Sequence, residues 1–216
     1  MNAMRIEILV FPGVDELDAL APVEVLRTAA HLGADFQVRL VSLNGSEDIR
    51  GNHGIHFGID GALGANGRPD LLIVPGGGWA VRAENGAWGE ARRGAIPAAI
   101  ANLYQSGTIL ASVCTGTMLL GAAGLLAGRR AITHHSAVAE LRNLGAEVIS
   151  ARVVDDGNII SAGGVTAGLD LALYLVERFA SHKIAEQCAR ALEYERRGPE
   201  YVSERSNRNA EGQAAS

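Results

Sequence analysis

Cys114 is the residue in this chain best placed for covalent chemistry. It follows an apolar run over 108–113, precedes Thr115-Gly116, and is followed by a second apolar run over 118–127, within TILASVCTGTMLLGAAGLLAG. The pattern predicts a buried strand, a sharp turn and a buried helix, with the thiol at the turn. Small residues stand two before it (Ser112) and two after it (Gly116), as a chain that doubles back on itself requires. A thiol at a helix N-terminus meets partial positive charge, which favours thiolate and makes a nucleophile. The plainer alternative is a buried structural cysteine.

Several other residues could serve that thiol. Asp18 reads either as an acid/base partner or as a first-turn helix carboxylate. Asp15 reads as a helix cap or surface carboxylate, and Glu24 has the wrong helical phase for the same pocket. Gly76-Gly77-Gly78 is either a plain turn or a stretch whose N–H groups approach a reacting atom because no Cβ obstructs them. With the N–H of Thr115 it would then form an oxyanion cradle. The Thr115 hydroxyl either orients water or substrate, or satisfies N–H groups at a helix start. Trp79 is placed to wall an apolar pocket. His134 and His135 end a short strand and reach the pocket rim, or are structural. Cys188, in an amphipathic stretch, and Asp170 read as structural.

These residues must be positioned by the elements around them. The pattern predicts strands over 5–11, 36–43, 70–74, 108–113, 130–133, 147–149, 152–155 and 158–162. Asp156-Gly157 marks a hairpin between the last two. Helices are predicted over 17–32 (capped by Asp15, with Pro22 in its first turns or kinking it), 88–105 (interrupted at Pro97), 118–127, 137–144, 166–179 and 182–195. Residues 44–67 are polar and glycine-rich. Alternating strands and helices imply an α/β, three-layer sandwich: a mainly parallel sheet with helices on both faces. Sites in such folds lie beyond the carboxyl ends of the strands. The segments 12–18, 75–79, 114–115 and 134–135 all fall at strand ends and are expected to converge on one edge.

Composition narrows the function. The chain has 216 residues, 48 % hydrophobic and 20 % charged, with a formal net charge of −5. That suits one domain over 1–197 with a sizeable core, and a loose polar tail over 198–216. The acidic balance, with no basic stripe, argues against nucleic acid as a partner. Residues 109–128 carry no charge, but their glycines and the Cys-Thr-Gly turn fit a buried strand and helix rather than a membrane span. The N-terminus enters a strand directly, without a signal peptide, and the two cysteines form neither a metal motif nor a disulfide framework. A cytoplasmic setting is expected.

The segments ILVFPGVDELDALAPVEVL, DLLIVPGGG, SVCTGTMLLGAAGLLAGRRAITHH and SAGGVTAGLDLALYLVE, in that order, resemble the ThiJ/PfpI superfamily. This is the cysteine branch of the class I glutamine amidotransferase-like, flavodoxin-like fold, and the resemblance spans about residues 5–195. Within it the chain is most similar to isonitrile hydratases and to the sensor domains of AraC-type regulators. The resemblance implies Cys114 on a strained elbow, Asp18 against its sulfur, Thr115 in catalysis, Gly77 as the oxyanion donor and His134 as the better-matched histidine. It also implies a homodimer, a small-molecule substrate, and neither metal nor organic cofactor. Protease-like members carry histidine where this chain has Thr115, and glutaminases need a His-x-Glu that the chain lacks. The leading expectation is an isonitrile hydratase in which Asp18 is protonated when Cys114 is thiolate, since adjacent like charges disfavour each other. A stand-alone sensor, a glyoxalase-like enzyme acting on methylglyoxal and a redox sensor working through Cys114 are the competing expectations.

Overall fold

The computed structural model describes residues 3–46 and 48–206. In chain order the elements are β1 (Met4–Leu9), α1 (Glu16–His31), β2 (Phe36–Ser42), β3 (Ile49–Arg50), β4 (His56–Phe57), β5 (Gly61–Ala62), β6 (Leu71–Val74), α2 (Ala87–Arg93), α3 (Ala95–Gln105), β7 (Ile109–Val113), α4 (Gly116–Ala122), β8 (Arg130–Ala131), a single 3-10 turn (His135–Ala137), α5 (Val138–Asn143), β9 (Glu147–Val148), β10 (Val153–Asp155), β11 (Ile159–Ala162), α6 (Ala167–Phe179), α7 (His182–Ala191) and β12 (Glu200–Val202).

Eight strands form the central sheet in the order β12-β10-β11-β7-β6-β1-β2-β5. Every pairing is parallel except β10 with β11, where the Asp156-Gly157 turn makes the expected hairpin. β6 and β11 are buried throughout, as is β7 beyond its first residue, which is why they read as unbroken apolar runs. Helices α1, α6 and α7 pack together as one helical layer, and α2, α3 and α4 as the other. Their apolar faces close on the sheet, and each fully buried leucine or isoleucine contributes about 1.5–3 kcal/mol.

Three expectations are corrected by the packing. The predicted helix over 88–105 is two helices, and the break is at Gly94 rather than Pro97. Gly94 takes φ +79°, which ends α2, and Pro97 then sits within the first turn of α3, where its missing N–H has no helical acceptor to lose. Helix α4 stops at Ala122 rather than 127, before Gly124 turns the chain at φ +77°. The tail predicted from Gly198 is in part an edge strand: β12 pairs with β10, and Ser206 Oγ donates to Asp155 Oδ2 (2.9 Å). Asp155 also accepts from Tyr174 Oη (2.6 Å) and Arg178 Nη1 (2.5 Å), so this buried carboxylate ties β10, α6 and the C-terminal segment together. The rest of the expected tail, 207–216, lies outside the described residues.

The fold brings β6 and the start of α4 into backbone contact. A Cβ on Gly116 would overlap the Val74 carbonyl oxygen. Gly116→Ala is therefore expected to destabilise the protein by about 1–3 kcal/mol, as overpacking does. Urea unfolding checks this, and an unchanged midpoint would show that α4 does not press on β6.

Candidate active site

Strand β7 ends at Val113, and Cys114 turns the chain into α4 with φ +57°. This left-handed conformation costs a non-glycine residue about 1–2 kcal/mol, so the surroundings must hold it. Three hydrogen bonds do so. The Cys114 N–H is shared between the carbonyls of Ala162 (3.1 Å) and Gly163 (3.0 Å), at the end of β11. The Cys114 carbonyl accepts from Thr133 Oγ1 (2.9 Å). The side chain is thereby turned out of the strand direction, although the residue remains only 6 % exposed.

The segment 12–18 approaches from the end of β1. Asp15 caps α1, its Oδ1 accepting from Leu17 N–H (3.2 Å), and this fixes the first turn that carries Asp18. Asp18 is fully buried, and its Oδ2 accepts from Gly76 N–H (3.0 Å). The Cys114 thiol lies against the same carboxyl, whose Oδ1 is buried and has no other hydrogen-bond partner.

The electrostatics of this pair invert the expectation of a thiolate beside a protonated Asp18, because the carboxyl gives up its proton before the thiol does. Burial, reinforced by the charge of Asp15, pushes the Asp18 carboxyl up to about 8. Burial also raises the Cys114 thiol above its ordinary value, and the charge of Asp18 adds to the rise. The Thr115 N–H acts on the sulfur in the opposite sense. The helix-terminus effect is therefore present, but α4 has seven residues and desolvation outweighs it. The pair is a neutral carboxylic acid against a neutral thiol near neutrality.

The glycine loop also differs from expectation. Gly77 N–H donates to Thr115 Oγ1 (3.0 Å), so it is not a free oxyanion donor. The Thr115 side chain makes no cap bond to α4 and instead bridges to the loop, keeping its own proton to donate. Gly78 takes φ +69°, and a Cβ there would press on the Ala83 side chain. Trp79 is walled in: its Nε1 donates to Glu140 Oε2 (3.2 Å), and it lines an apolar cavity of about 320 Å³ with Met118, Ala122 and Leu144. Cys114 is not among the residues lining that cavity.

His134 sits at the mouth of a different cavity, of about 540 Å³, with His135, Arg152, Gly163 and Gly164. Its Nδ1 is 2.8 Å from Ser136 Oγ, and partial burial and His135 lower its pKa. Cys188 is buried with its thiol towards Val25 O, and Asp170 holds Arg152, Tyr194 and the Arg197 N–H, all structural roles. Sequence reasoning passed over Thr133, Gly163 and Gly164, whose roles depend on the pairing of β11 with β7 and leave no local pattern. It also passed over the influence of Asp15 on the pair.

A family profile described as "DJ-1/PfpI family" matches residues 4–178. The chain is 34 % identical over 192 residues to a protein of Pseudomonas putida named isonitrile hydratase, covering 89 % of this chain and 79 % of that one. It is 31 % identical over 183 residues to the HTH-type transcriptional regulator CdhR of Pseudomonas aeruginosa, covering 83 % of this chain and 52 % of the regulator. A crystal structure of a ThiJ/PfpI family protein from Pseudomonas syringae superposes with a TM-score of 0.80 at 30 % identity, covering 92 % of this chain and 78 % of that one.

Asp18 holds its proton more tightly when folded (about 8) than at its ordinary value of 3.8. Its contribution to stability is thus complete below about pH 4 and is lost as pH rises towards about 8. Asp18→Asn, which stays neutral, is expected to gain stability relative to wild type across that window and to level off above it. The gain is about 6 kcal/mol at most. The same substitution removes a negative charge beside Cys114, so the thiol should ionise at lower pH, read from ultraviolet thiolate absorbance. An unchanged titration would mean that carboxyl and thiol do not interact.

Proposed function

The chain belongs to the DJ-1/PfpI family, and on that footing we propose that it hydrates small isonitriles to N-substituted formamides without a cofactor. The observation that carries this reading is a fully buried carboxyl, pushed up to about 8 by that burial, set against a buried thiol. Isonitriles are neutral, and their reacting carbon is the end of a slim linear group, which suits a nucleophile 6 % exposed.

Cys114 Sγ bonds to the terminal carbon of R–N≡C while Asp18 gives its proton to that carbon. The thiol proton replaces the one Asp18 has lost, and the product is the thioimidate S–CH=N–R. Water then adds to the same carbon, its proton passing to nitrogen. Thr115, whose oxygen is held by Gly77 N–H, presents its own hydroxyl proton to that water. The C–S bond breaks as the hydroxyl proton returns to sulfur, releasing HC(=O)NHR and restoring the thiol. One water is consumed and no redox change occurs. A neutral acid is the required form of Asp18, because an ionised one has no proton to give and would repel electron density building on the carbon.

A second reading, a stand-alone sensor domain, draws support from the likeness to the regulator. The two part on turnover: a sensor binds its ligand saturably and leaves it unchanged.

Formamide production from a panel of small isonitriles tests the proposal. Wild type is expected to turn over and Cys114→Ala to fall to background. Asp18→Asn should lose on the order of 100- to 10,000-fold, the range for a general acid. The wild-type rate should decline as pH rises above about 8, as Asp18 gives up its proton. Folded wild type without turnover on any member would overturn the hydratase reading for those substrates.

A further inference from the structure

The first turn of α1 faces the hairpin formed by β3 and β4, and the two are joined through Glu16. Glu16 Oε1 accepts from His53 N–H (2.6 Å) and Ile55 N–H (3.3 Å). The residue is 5 % exposed, and its other oxygen, Oε2, has no hydrogen-bond partner. Beside it, Asp15 uses Oδ1 to cap the helix, while Oδ2 stands 3.8 Å from His53 Nε2. One ligand atom each from Asp15, Glu16 and His53 lie within 4.8 Å of one another. The side chains grade outward, with Asp15 17 % and His53 69 % exposed.

A buried carboxylate oxygen without a partner is costly unless something with positive charge or a proton meets it. Among the described residues, no lysine or arginine forms an ion pair with either carboxylate. The N-terminal end of α1 carries about half a positive charge, which works against a cation, but two carboxylates outweigh it.

We propose that Asp15, Glu16 and His53 bind one divalent cation of the zinc class, through two carboxylate oxygens and one imidazole nitrogen. Such a mixed oxygen–nitrogen set suits zinc better than magnesium, which prefers oxygen alone and keeps its waters. Donors around tetrahedral zinc stand about 3.4 Å apart, from bond lengths near 2.1 Å. The His53–Asp15 pair, at 3.8 Å, is already near that spacing, and the exposed His53 ring is free to adjust. The fourth position is left to water. The bound ion would clamp the hairpin turn to α1 at the edge of the Cys114 pocket, where Asp15 N–H also bonds Gly76 O (2.8 Å). Thirty-seven positions separate Glu16 from His53, so the set has no motif spacing. No step of the proposed hydration uses the ion, and the site stands or falls independently of that reaction.

The 216-residue chain, stripped with a chelator and titrated with zinc chloride in a calorimeter, tests the site. One equivalent should bind wild type with micromolar affinity and raise its Tm. His53→Ala should weaken binding at least tenfold. Glu16→Gln, which keeps an acceptor for the two hairpin N–H groups, should weaken it as well. Cys114→Ser should bind as wild type does. Loss of binding in Cys114→Ser would assign the zinc to the thiol and overturn the proposal. So would undiminished binding in folded His53→Ala, or no binding by wild type.

Discussion

The left-handed turn at Cys114 is the constraint on which the site depends. It is unfavourable in isolation and exists because β7 lies between β6 and β11 in a fixed parallel register. That register places the carbonyls of Ala162 and Gly163 where they share one N–H, and the loop after β8 supplies Thr133 for the carbonyl. Shift β11 by one residue against β7 and the Cys114 N–H loses these acceptors, while every side chain on the strand changes face. The reactive geometry is thus a property of the sheet, read out at a single residue.

Once the thiol is held there, burial decides its chemistry. A helix terminus and a nearby N–H draw the sulfur towards the anion, while a dry pocket and two carboxylates push it the other way, and the second set prevails. The consequence is a site of low charge, with a carboxylic acid as its most acidic member. Such a site suits neutral, slender electrophiles that need a proton delivered at the carbon being attacked. It suits anionic substrates poorly, because each added negative charge would raise both groups further.

Much of this was legible in the residues alone. Strong local signals survived into the structure: the apolar runs that became β6 and β7, the Asp15 cap, the Asp156-Gly157 hairpin, and the elbow with its small neighbours. The convergence of 12–18, 75–79 and 114–115 followed from the rule that sites gather at strand ends. What was not legible depends on quantities with no local trace. The break at Gly94 was hidden because glycine and proline both punctuate a helix and only packing selects between them. The raised thiol could not be read from a motif, since desolvation is set by every element that closes over it. Gly77 looked like a free donor because its acceptor, Thr115 Oγ1, is brought across from the start of α4, 38 positions away. β12 was hidden in a polar stretch whose pairing with β10 is made by backbone.

The bond from Gly77 to Thr115 has a consequence for how such sites can diverge. The residue after the nucleophile is an obvious place to alter chemistry, and histidine there would in principle supply a base. Here that residue also satisfies a backbone donor in a neighbouring loop. Replacing it removes the acceptor, and the orphaned N–H then competes with substrate for whatever oxygen enters the pocket. A change of reaction type by that route requires the glycine loop to be rebuilt in the same evolutionary step or an earlier one. The two segments, distant in sequence, are therefore expected to be inherited as a unit.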